Sequence, residues 1–70
     1  MPYASNASLP DGIRHTLPQH AQEIYRAAFN NSFASYKNSV RREEIAHRVA
    51  WAAVKKRYVK RGGVWVERAA

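Results

Sequence analysis

The residues able to do acid–base or metal chemistry are His15, His20 and His47 with Asp11, Glu23, Glu43, Glu44 and Glu67, and their spacing supports neither. His15 and His20 stand five apart across Pro18, and His20 with Glu23 makes an (i, i+3) pair. Zinc needs three or four converging ligands and calcium an acidic loop of six or more oxygens, so neither ion has a site here. No serine or cysteine nucleophile sits in a pattern with a histidine and an acid, and no glycine-rich loop is placed to cradle phosphate. The expectation is a non-enzymatic protein without catalytic residue, metal or cofactor.

The remaining chemistry is cationic. The chain carries a formal charge of +7, and residues 41–70 hold nine basic side chains against three acidic ones. Five of the nine crowd into "KKRYVKR", residues 55–61. One or two cations suffice to complement a helix C-terminus, at under about 1 kcal/mol each, so five exceed that need. The cluster reads as a grip on a polyanion. Its members would be Arg42, Lys55, Lys56, Arg57, Lys60, Arg61 and Arg68, with Trp65 adding a contact to phosphate or sugar. No helix presents Asn, Gln and Arg at base-reading positions, so nucleic acid, DNA first, would be bound with little sequence preference. Docking on an acidic protein surface is the alternative. A membrane-surface helix is disfavoured because it needs an exposed apolar face, and the apolar stripes here are wanted for a core.

The elements that must position this cluster follow from length and periodicity. Seventy residues without cysteine make one domain, residues 1–70, held by apolar packing alone. "SLPDGIRHTLP" predicts a short helix between two prolines, with Ile13 and Leu17 as its buried stripe. "PQHAQEIYRAAFNNSFASYK" has three-and-four spacing at Ala21, Ile24, Tyr25, Ala28, Phe29, Ser32, Phe33 and Tyr36, which predicts a long helix with Gln22 on its outer side. "KNSV" is the expected turn, with Asn38 or Ser39 as cap. A third helix is expected over 41–61, stopped by Gly62, with one stripe of His47, Trp51, Val54 and Tyr58 and a second of Ile45, Val49, Ala52 and Val59. His20 reads as a cap near a helix start. "VWVE" at 64–67 reads as a strand, and "PYAS" at 2–5 is its expected partner. The fold class is therefore mainly α: a short helix and two long packed helices, with a small two-stranded ribbon joining the N- and C-terminal segments. The opening dozen residues have no secretory pattern and the longest apolar run, Val49–Val54, is far too short to span a bilayer, so the expected location is cytoplasmic.

These segments resemble the ChaB family. The matching pieces are "MPY", the Leu9-Pro10 and Leu17-Pro18 pair, "HAQEIYRAAFN" at 20–30, "REEIAHRVAWAAVK" at 42–55, Tyr58 and Trp65. The linker between the long helices is shorter than in the bacterial form, and the tail is more basic. The resemblance implies a compact helical fold with a small two-stranded sheet. It also implies a regulatory role tied to a cation antiporter, a name that rests on association, while viral relatives have been linked to DNA binding.

Overall fold

The computed structural model describes residues 3–68. A single 3-10 turn at Asn6–Ser8 leads into α1 (Asp11–Thr16), α2 (Gln19–Ser35), α3 (Arg42–Arg57), β1 (Tyr58–Arg61) and β2 (Val64–Glu67). The two strands form one antiparallel sheet.

Proline sets both ends of α1. Pro10 enters with extended backbone, Asp11 occupies the positive end of the helix, and Arg14 pairs with it one turn later. Leu17 is forced to extended geometry (φ −103°, ψ 140°) ahead of Pro18, and α2 begins at once. The carbonyls left over at the end of α1 are taken by Gln22, whose Nε2 donates to the oxygens of Leu17 (2.8 Å) and Arg14 (3.2 Å). Gln22 is thus buried, where amphipathic spacing placed it outside.

Helices α2 and α3 pack through small residues. Ala21, Ala46, Ala50 and Val54 are fully buried, so the helix backbones approach closely. Around them Leu9, Ile13, Leu17, Tyr25, Phe29 and Tyr58 complete the core, and Phe33 and Trp51 close its sides. The expected second stripe of α3 is not part of it. Val49 is 41% exposed and Ala52 lies in solvent, because the Ala46–Ala50–Val54 line already occupies the contact. Tyr36, expected inside, is likewise 48% exposed, since α2 ends at Ser35.

Among the described residues, the N-terminal segment does not join the sheet. Tyr3 docks on α2, its N–H donating to Asn30 Oδ1 (3.0 Å) and its carbonyl accepting from Asn30 Nδ2 (2.8 Å). One side-chain amide replaces the neighbouring strand, and it lays the Tyr3 ring 4.9 Å from that of Phe29. Pro2, the first residue of the expected strand, lies outside the described residues. Asn30→Ala should destabilise the fold by about 1 kcal/mol and free the Tyr3 amide, which a urea midpoint together with amide hydrogen exchange would check.

Candidate basic docking site

The third helix stops at Arg57, not at the expected 61. Tyr58 turns to extended geometry (φ −129°, ψ 153°), and the chain doubles back through Gly62 and Gly63. Both glycines have positive φ (58° and 82°), the conformation a two-residue hairpin turn demands and side chains resist. The partner of "VWVE" is therefore the adjacent "YVKR", paired Tyr58–Glu67, Val59–Val66, Lys60–Trp65 and Arg61–Val64. Charge favours this over a longer helix, in which Lys56 would meet Lys60, and Arg57 would meet Arg61, at (i, i+4). The hairpin keeps Lys60 and Arg61 off the helix surface.

The hairpin is anchored at three points. Trp65 packs on Trp51 with ring centroids 5.5 Å apart. Tyr58 is buried and its Oη lies 3.1 Å from His20 Nδ1, so His20 bridges α2 to β1 instead of capping a helix. Arg68 donates its backbone N–H to the Arg57 carbonyl (2.8 Å) and its guanidinium to the Lys55 carbonyl (3.1 Å), occupying acceptors at the end of α3. Burial, then the Glu67 carboxylate opposite, raise the Tyr58 hydroxyl above the usual phenol range.

Of the expected site residues, Lys55, Lys56, Arg57, Lys60 and Arg61 lie along the end of α3 and β1, all exposed, with Lys60 and Arg61 on opposite faces of the hairpin. Among the described residues the ion pairs are Asp11–Arg14, Glu44–Arg41 and Glu44–Arg48, so none of those five cations pairs with a described carboxylate. Three expected members have other employment. Arg42 does not join the cluster: its guanidinium lies 3.6 Å from the centre of the Phe33 ring and donates to the Phe33 carbonyl at 2.8 Å, tying the start of α3 to the end of α2. Its Nε is buried without a partner, as befits a packing role. Trp65 is a hairpin anchor, and Arg68 is held by the carbonyl of Lys55.

A shallow groove of about 550 Å³ runs beside this end. Ile24, Ala27, Ala28 and Asn31 of α2 form one wall, Ala53 of α3 the other, and His20, Lys56 and Arg57 its charged or titratable rim. The arrangement can hold anionic groups by charge, next to small apolar side chains. His20 and Asn31 were not expected there; their only sequence signal is the helical spacing Ile24, Ala27, Ala28, Asn31. Among the described residues no group of three or more His, Asp and Glu converges as a metal site, and no helix is long and apolar enough to cross a membrane.

Comparison with known proteins places this architecture. An NMR solution structure of a ChaB protein superposes with a TM-score of 0.84 at 44% identity, over 97% of this chain and 100% of that one. The Escherichia coli K12 protein named "Putative cation transport regulator ChaB" is 48% identical over 66 residues, 86% of this chain and 87% of its own. The Shigella flexneri protein of the same name matches equally. The profile of the ChaB family covers residues 9–68. With that coverage, and with a helical fold bearing a two-stranded ribbon as the resemblance implied, the chain belongs to the ChaB family.

Proposed function

We propose that this protein is a non-enzymatic regulator of cation transport that works by docking an acidic surface of a protein partner. The observation that carries the reading is the run of Lys55, Lys56, Arg57, Lys60 and Arg61, exposed along the end of α3 and β1 and unpaired with any described carboxylate. Relatives at 48% identity bear a cation-transport name, which favours a protein partner over DNA. The geometry leans the same way, since the charges sit on a helix end and a short hairpin, and among the described residues no long basic helix extends past Arg57 to enter a DNA groove. Lys56 and Arg57 on the rim of the α2–α3 groove would pair with partner carboxylates, and the alanines would take an apolar side chain.

The test is affinity capture of cation-transport proteins from detergent extracts on the immobilised chain, with and without excess duplex DNA. Saturable capture at physiological salt that DNA does not displace is the expected result. Replacing Lys56, Arg57, Lys60 and Arg61 by alanine should weaken it about tenfold, since exposed pairs contribute about 0.2–1 kcal/mol each. The helical circular dichroism should be unchanged. Displacement by DNA, or a gel shift of duplex DNA at that salt, would move the site's function to nucleic acid.

A further inference from the structure

We infer that the outward face of the hairpin is a docking surface for an anionic phospholipid bilayer; its valines lie outside the groove described above, and it shares only Lys55 and Arg61 with the basic cluster. Antiparallel pairing puts residues directly opposite each other on one face. Tyr58, Lys60, Trp65 and Glu67 therefore share the side on which Trp65 meets Trp51 and Tyr58 is buried. The other side carries Val59, Arg61, Val64 and Val66. Val64 is 59% exposed and Val66 is 38% exposed, so this is an apolar patch left in water by the fold.

Charge and size select the occupant. The face has Arg61 and no carboxylate, since Glu67 points with Trp65, and exposed Arg68 follows β2 directly, its guanidinium donating to the carbonyl of exposed Lys55 at the end of α3. A second copy of the chain stacked on this face would bring Arg61 against its own kind, between two bodies of charge +7. A specific protein partner needs about 800 Å² per side, whereas two four-residue strands offer roughly 130 Å². A bilayer has no such threshold. Its interface takes a few apolar side chains at the headgroup boundary while anionic headgroups gather around the flanking cations. The objection raised by the sequence, that no helix has an apolar face to spare, does not reach a ribbon whose pleat separates an anchored side from a free one.

The experiment is co-sedimentation of the full chain with vesicles of phosphatidylcholine alone and of phosphatidylcholine mixed with phosphatidylglycerol. Wild type should bind the mixed vesicles only. The pair Val64→Ser and Val66→Ser keeps every charge and should lower the partition coefficient on the order of tenfold. The pair Val64→Leu and Val66→Leu should raise it, a gain that a misfolded chain would not produce. Wild type failing to bind the mixed vesicles would overturn the inference. So would serine and leucine variants binding alike, which would mean plain electrostatic adsorption. Neither valine pair touches the α2–α3 groove, so capture of a transport protein remains a separate reading.

Discussion

Tyr25→Ala is expected to be severely destabilising. Tyr25 is 1% exposed and, with Val54, is one of the largest fully buried side chains. Its ring stacks near Phe29 (5.9 Å) and meets Trp51 and His47 edge-on at 5.8 and 6.1 Å, while its Oη lies 2.8 Å from His47 Nδ1. Truncating a buried aromatic costs about 3–5 kcal/mol. A chain of this length has roughly 4–10 kcal/mol in all, so the loss is between about a third and all of it. The effect reaches the docking end, because Trp51, which Tyr25 supports, is the platform for Trp65 and the hairpin. Tyr25→Phe keeps the ring and loses the hydroxyl bond, about 1 kcal/mol. Urea unfolding followed by circular dichroism would rank the three proteins, and an alanine variant with a near-native midpoint would show that the ring is not the hub described.

Much of this core is legible in the sequence. Pro10, Pro18 and the three-and-four spacing from Ala21 to Phe33 locate α1 and α2, and "VWVE" is extended as its residue types require. The failures have specific causes. Alanines carry little hydrophobic weight in a periodicity count, yet Ala46 and Ala50 form the helix contact because they let backbones approach, and the bulkier Val49 is left in solvent. Gly62 reads as a helix stop, although the glycine pair between "YVKR" and "VWVE" is also a hairpin signal, and the second meaning is the one the fold uses. Counting charges finds the basic run at 55–61 and misassigns Arg42, since nothing in composition says that a guanidinium will cover the Phe33 ring. The valine face was hidden for the same reason as the hairpin: register, which sorts Val64 and Val66 to one side and Trp65 to the other, exists only once the partner strand is known.

Alkaline pH should destabilise the protein through the same tyrosine. Burial, and secondarily Tyr3, push the Tyr25 hydroxyl up to about 12 in the folded chain, against an ordinary value near 10. The folded state therefore holds this proton when the unfolded chain has released it. Below about pH 10 both states are protonated and the stabilisation is fully present; between about 10 and 12 it declines, and above that it is gone. Two pH units of difference amount to about 3 kcal/mol, a large part of the roughly 4–10 kcal/mol available. Tyr58, raised by burial and by Glu67, adds a slope of the same sign. Tyr25→Phe should remove most of the steepening while keeping the ring, and adding Tyr58→Phe should flatten the curve further. Urea midpoints measured across this interval, with tyrosinate absorbance recorded alongside, would check the assignment. Equal slopes in wild type and Tyr25→Phe would place the alkaline transition elsewhere and would leave the seal around Tyr25 without thermodynamic support.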